Sequence, residues 1–322
     1  RHQNQEYGYD NWGMWDYGYI RDLNLFIQKC EAATEISPES KSQFLAEAKF
    51  IRAMVYFEHV KRMGGVPLIL EPLEYDYSGD PSYLQYARAK EHEVYDFVIA
   101  EMDAVKDDLP NGNTRSRATK GAALALISRA ALYAGSIANY GQITPEVSLP
   151  GGEVGIPSGM ADGYYTTALR ASEEVMGLGT YELYDQDPDR SENYTNIFLN
   201  KNANPEIIMA KDFLVQGRTH GFTIENIPRS LREENTSGGK MNPSLNLVQS
   251  YELLDNTFAE LPTKDASGNP IYYDDPMDIF EGRDPRLLGT VIVPGSSFRG
   301  KEVDIWAGYK LADGSVITSG QL

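Results

Sequence analysis

Residues 44–67 read FLAEAKFIRAMVYFEHVKRMGGVP, and this stretch decides the fold class. Phe44, Ala48, Ile51 and Val55 recur at helical spacing, and small alanines sit where a neighbouring helix can approach closely, which predicts one long helix. Its end is written in Gly64-Gly65-Val66-Pro67. Glycine can take the left-handed backbone of a helix C-cap, and a proline just beyond cannot carry the helix on. Its start is written in Ser37-Pro38, an N-cap hydroxyl followed by a first-turn proline.

Working outward, Ile20, Leu23, Phe26, Ile27, Cys30 and Ala33 predict a preceding helix from about Asp16 to Thr34. A third helix is expected from Lys90 to Asp108 on Val94, Phe97, Val98, Met102 and Val105. A fourth follows Thr119 and runs to about Asn139 through an alanine-rich sequence. The fifth spans Asp162 to Met176 on Tyr165, Ala168, Leu169, Ser172 and Val175. An internal echo links the second helix to the fourth. Arg52-Ala53-x-Val55-Tyr56 through Gly64 matches Arg129-Ala130-x-Leu132-Tyr133 through Gly141 at a constant offset of 77 residues. Residues 16–141 therefore read as two helical-hairpin units, the arrangement of stacked repeats. Residues 142–322 hold the fifth helix and a loop-rich region, with short strands expected at Pro205–Val215 and Leu287–Val293 and a sixth helix from Asn242-Pro243 to near Leu254. The expected class is mainly α, with short strands confined to the second half.

Composition narrows the function. The chain of 322 residues carries 29 basic and 47 acidic residues, a formal charge of −18. That balance argues against nucleic-acid partners and anionic membrane surfaces, which need a positive face. No apolar run approaches the roughly 18 residues that span a bilayer. The lone cysteine, Cys30, falls on an apolar helical position and reads as a buried small hydrophobe. There are 21 tyrosines and 3 tryptophans against 11 phenylalanines, an excess of side chains with an apolar face and a polar tip.

No nucleotide, nucleophile-elbow or zinc-protease motif is present, and the four histidines are scattered over different segments. Neither a cofactor nor a metal is expected. Asp185-x-Asp187-x-Asp189 is the nearest thing to a calcium loop. It has Arg190 where the bend needs glycine and Asn196 where the bidentate glutamate belongs, so it reads as a solvated acidic loop. Asn193-Tyr194-Thr195 and Asn235-Thr236-Ser237 match glycosylation sequons.

The runs EAKFIRAMVYFEHVKRMGGVPLI, RATKGAALALISRAALYAGS, NPEIIMAKDF, PSLNLVQSYELLDN and GRDPRLLGTVI stand in an order and spacing that resembles the SusD/RagB family. The resemblance implies one SusD-like domain over 1–322, built on a scaffold of tetratricopeptide-like helical hairpins. It also implies a surface lipoprotein of the outer membrane that captures glycans without catalysis and caps a SusC-like TonB-dependent transporter. By the same resemblance, segments at both ends, including the lipidated N-terminal cysteine, are expected to be absent from this sequence. Cys30 lies inside a helix and cannot stand in for that cysteine.

The residues at 1–19 carry Tyr7, Tyr9, Trp12, Trp15, Tyr17 and Tyr19 with glycines between them, an aromatic loop leading into the first helix. A pyranose has an apolar C–H face and a hydroxyl rim, so it is held by an aromatic plane beneath and amide or carboxylate partners at the edge. Asn11, Trp12 and Trp15, with Asp10, offer that combination, and in the resembling family ligand contacts come from this region. The alternative is that both tryptophans pack on the first helix. Phe222 and Trp306 are the second-rank ligand candidates, and Arg52 and Arg129 are assigned to scaffold hydrogen bonding. The competing function is a helical-repeat scaffold that binds a protein or peptide.

Overall fold

The computed structural model describes residues 17–112, 114–202, 204–214, 216–228, 231–232, 238–303, 305 and 309–317. Two compact units are present: one runs to Glu182 and takes in Ile207–Lys211, the other holds Leu183–Glu206 and continues from Asp212.

In the first unit α1 (Tyr17–Ala32), α2 (Pro38–Met63), α3 (Glu91–Val105), α4 (Lys120–Tyr140) and α5 (Ala161–Gly177) stack in chain order, each packing on the next. The caps are those the sequence announces. Ser37 Oγ accepts from the Ser40 N–H, Pro38 fills the first turn, and Thr119 Oγ1 accepts from Ala122 N–H at 3.1 Å. Gly64 closes α2 at φ 70°, and a methyl group on Gly65 would collide with the Ala89 carbonyl.

The buried face of α2 differs from the expected stripe. Phe44 and Ile51 are exposed, while Ala46, Phe50, Ala53, Tyr56, Phe57 and Val60 are buried, together with Arg52. Of the expected stripe Ala48 is buried and Val55 packs half-buried on the core; because both α1 and α3 pack on this helix it buries more than one face, and a single stripe misses the rest. Phe26 on α1 and Leu169 on α5 are likewise exposed. On α5 the buried set is Ala161, Tyr164, Ala168 and Ala171. The sequence echo between α2 and α4 is not an echo of environment: Arg52 and Tyr56 are buried, whereas Arg129 and Tyr133 are exposed.

Alanine and glycine let α4 and α5 approach closely. Ala130, Ala131 and Ala134 are fully buried, and a side chain on Gly135 would strike the ring of Tyr165. Contrary to expectation from the apolar runs, Lys120–Ile143 is long and apolar enough by composition to cross a membrane, but 56% of that window is buried inside the first unit.

The second unit departs most from expectation. Arg190–Leu199 forms a helix, α6, directly after the acidic run at 185–189, in a stretch to which the sequence pattern assigns no element. Of the strand expected at Pro205–Val215, the described residues 205–214 make no ladder; they contain a turn and one isolated bridge, Leu214 to Arg218. The sixth expected helix shrinks to Leu245–Gln249 (α8), capped by Ser244 rather than Asn242, and a one-turn helix α7 (Phe222–Asn226) precedes it. Leu287–Val293 is no strand: Arg286–Thr290 is the short helix α9, Val291 is extended, and 291–293 join no ladder. The strands among the described residues are two small antiparallel hairpins, β1 (Ser297–Phe298) with β2 (Lys301–Glu302) and β3 (Tyr309–Lys310) with β4 (Val316–Ile317). A small core of Val248, Leu287, Val291 and Val293 is closed by Tyr251, Leu261, Met277 and Phe280. Buried Arg283 donates to the carbonyls of Tyr251 (3.0 Å) and Ala259 (2.6 Å), holding the surrounding loops.

Arg52 is the polar centre of the first unit. Its guanidinium pairs with Glu101 at 2.5 Å and donates to Asn24 Oδ1 at 2.8 Å and the Leu70 carbonyl at 3.1 Å. Burial pushes the Glu101 carboxyl upward and Arg52 pulls it part of the way back. Removing the cation leaves a carboxylate with little solvent. Arg52→Ala is therefore expected to cost about 3–5 kcal/mol in denaturant unfolding, and Arg52→Met with Glu101→Leu less than the single change.

Candidate functional site

Asn11, Trp12, Trp15 and Trp306 lie outside the described residues. What is described is the corner of the scaffold at which α1 begins, next along the chain from the aromatic segment. Tyr17, the first residue of α1, sets its ring 5.7 Å from that of His59 on α2 and donates its hydroxyl to the Pro67 carbonyl at 2.8 Å. Burial, then the neighbouring Tyr56, pushes the Tyr17 hydroxyl above its ordinary range, so it stays a neutral donor. The extended stretch after Pro67 is laid along α1. Asn24 Nδ2 donates to the Ile69 and Glu71 carbonyls at 2.9 and 3.3 Å, and Tyr56 Oη accepts from the Ile69 N–H at 2.8 Å. Burial raises the Tyr56 hydroxyl to about 12, and its bond to the Ile69 carbonyl partly offsets that shift.

Phe222 is exposed at the start of α7. Its ring is 6.4 Å from that of His220, which in turn stands edge-on to Phe213 at 4.6 Å. The Phe222 N–H donates to His220 Nδ1 at 3.2 Å, which makes Nδ1 the acceptor nitrogen of that ring. Beside the rings Lys240 pairs with Glu225 at 3.0 Å. An apolar ring face with a charged rim of this kind suits an amphipathic ligand.

A cleft of about 750 Å³ in the first unit was not anticipated from sequence. The Gly- and Pro-rich excursion at 141–158 folds over the end of α4, and Ile137, Tyr140, Val147, Leu149 and Ile156 form its apolar walls. Glu91 lies at its edge: its carboxylate accepts from the Gly155 N–H at 2.6 Å, and its own N–H donates to the Gly152 carbonyl at 2.8 Å. Burial pushes the Glu91 carboxyl upward, against the Gly155 N–H and Arg88. No local sequence pattern records that this segment lines a cleft.

Residues 1–132, which include the aromatic segment, match a SusD-like family described as starch-binding and associating with the outer membrane. A SusD-like protein of Bacteroides ovatus is 25% identical over 252 residues, covering 76% of this chain and 41% of its own. A crystal structure of a SusD-like protein from Bacteroides fragilis superposes with a TM-score of 0.64 at 27% identity, over 95% of this chain and 52% of that one. These matches support the SusD/RagB resemblance carried by the sequence runs. A second Bacteroides fragilis structure, of a SusD-like carbohydrate-binding protein, shares the fold at a TM-score of 0.63 and 20% identity, over 92% of this chain and 49% of that one. This SusD-like chain spans about half the length of the relatives it matches. The expected class, a mainly α fold on a tetratricopeptide-like helical scaffold, is the one observed.

The acidic run of this SusD-like chain is structural. Asp189 caps α6 by accepting from the Ser191 and Glu192 N–H groups at 2.8 and 3.0 Å. Asp187 accepts from Asn196 Nδ2 at 2.8 Å, and Asp185 pairs with Arg190. Among the described residues no group of three or more His, Cys, Asp or Glu side chains is placed to hold a metal. The sequon asparagine Asn193 is buried, donating to the Tyr184 carbonyl and accepting from the Gln186 and Asp187 N–H groups, so it presents no free amide in the folded chain. Asp189→Ala is expected to cost about 1 kcal/mol in chemical unfolding, the worth of an N-cap, with added calcium leaving the unfolding midpoint of either protein unmoved.

Proposed function

We propose that this SusD-like chain captures glycans without catalysis at the surface of the outer membrane, held there by an N-terminal lipid, and passes them to a SusC-like TonB-dependent transporter. One observation carries the proposal: the family match described as starch-binding runs over residues 1–132 and takes in the stretch holding Asn11, Trp12 and Trp15. The carbohydrate-binding relative of the same fold supports it, as does a net charge of −18, which favours neutral ligands over anionic ones. Trp12 and Trp15 supply the stacking planes and Asn11 an amide for ring hydroxyls, with Phe222 and Trp306 as secondary contacts.

Affinity electrophoresis in gels containing soluble starch, xyloglucan or laminarin tests this directly. Trp12→Ala with Trp15→Ala is expected to weaken retention about tenfold or more, equivalent to about 1.4 kcal/mol, with the thermal midpoint unchanged. Full retention by the double variant would sink the assignment of the site to this segment.

A further inference from the structure

Beyond the corner at Pro67 the chain forms a loop that displays tyrosines. Tyr77 is 88% exposed, and its backbone sits at φ 60°, a region bulky side chains rarely adopt. Its ring is 5.2 Å from that of Tyr75 at 59°, giving two adjacent aromatic faces open to solvent. The loop holds this display in place with its own hydrogen bonds. Tyr75 Oη accepts from the Gly79 N–H at 2.9 Å, while Tyr83 Oη accepts from the Asp76 N–H at 2.6 Å and donates to the Glu74 carbonyl at 3.1 Å. At the root of the loop, Asn24 and Arg52 bind the carbonyls of Ile69, Leu70 and Glu71, and Arg88 ties the returning strand to the Gly65 carbonyl at 2.7 Å.

Flanking the rings are Asp76 and Asp80. The hydroxyl and N–H of Ser78 hold the Asp76 carboxyl below its ordinary range, and the N–H and hydroxyl of Ser82 do the same for Asp80. Both are therefore ionised acceptors beside an aromatic face. That pairing suits a neutral sugar, whose C–H face lies on the ring and whose hydroxyls donate to the carboxylates; it disfavours uronates and sulfated glycans.

The position matters as much as the chemistry. Tyr17 bonds Pro67 and Asn24 bonds Glu71, so residues 67–71 run alongside α1 in the same direction. Seven helical residues place the root of the loop about 10 Å along α1 from where the tryptophan segment joins it. We propose that Tyr77 and Tyr75 form a second stacking site for the same neutral glycan chain that the tryptophan segment engages. This rests on the glycan-capture function above, and the gain it supplies is avidity on long chains.

The test compares wild type, Tyr77→Ala, Tyr77→Gly, Tyr77→Phe and the Trp12→Ala, Trp15→Ala double variant. Each is run on soluble starch, xyloglucan, laminarin and pectin, and on the disaccharide of whichever polymer is retained. Glycine suits the left-handed backbone, so Tyr77→Gly removes the ring without disturbing the loop. The Ala and Gly variants are expected to weaken retention on the neutral polymer about fivefold or more, to change disaccharide binding by less than about twofold, and to melt as wild type; Tyr77→Phe retains binding. Unchanged retention by Tyr77→Ala and Tyr77→Gly, with loss in the tryptophan variant, overturns the second site and leaves glycan capture standing. Equal loss on polymer and disaccharide also overturns it, since one site would then serve both. Preference for pectin overturns the ligand class, and no retention of wild type on any polymer overturns the capture function itself.

Discussion

One buried cation organises the first unit. Arg52 lies in the middle of α2, and its guanidinium reaches α3 through Glu101, α1 through Asn24, and the extended stretch beyond Gly65 through the Leu70 carbonyl. A guanidinium has five donors in a fixed plane, so each bond it makes restricts where the others can point. The three helices and the extended stretch are thereby held to one mutual arrangement. A leucine at this place could fill the volume, but it would leave the Leu70 carbonyl and the Glu101 carboxylate without this donor.

Around that polar centre the packing is made by small residues. Gly64 and Gly65 let the end of α2 lie against the backbone of Glu153 and Ala89, and Gly135 with the alanines of α4 admits Tyr164 and Tyr165 of α5. Close backbone approach of this kind leaves large aromatics in two roles. Tyr56, Phe50 and Tyr95 are fully buried in the core, whereas Tyr77 and Tyr140 are left outside. On an acidic chain, exposed aromatic faces beside ionised carboxylates suit amphipathic, uncharged ligands.

The scaffold shows why some local signals are trustworthy. Ser37, Thr119 and Gly64 act on backbone groups within three or four residues, so their effect does not depend on the rest of the fold. Asp189 is the same kind of signal, and it was read as part of an acidic loop only because two further aspartates precede it. The runs at 205–215 and 287–293 have the composition of strands. A strand needs a partner edge, however, and in the folded chain Leu287 is instead the buried centre of a small cluster.

The sequence by itself determined the five scaffold helices and the aromatic, acidic character of the chain, because caps, periodicity and residue type are local properties. Tertiary structure alone decided which faces those helices bury. Ile51 is exposed and Arg52 buried because α1 and α3 both pack on α2 and cover more of it than a single stripe can express. It alone also decided that the 141–158 excursion encloses a cleft beside Glu91 and that Tyr77 is held outward in a left-handed backbone. The cleft edge and the root of the Tyr77 loop depend on segments distant along the chain being clamped together by hydrogen bonds that no local pattern records.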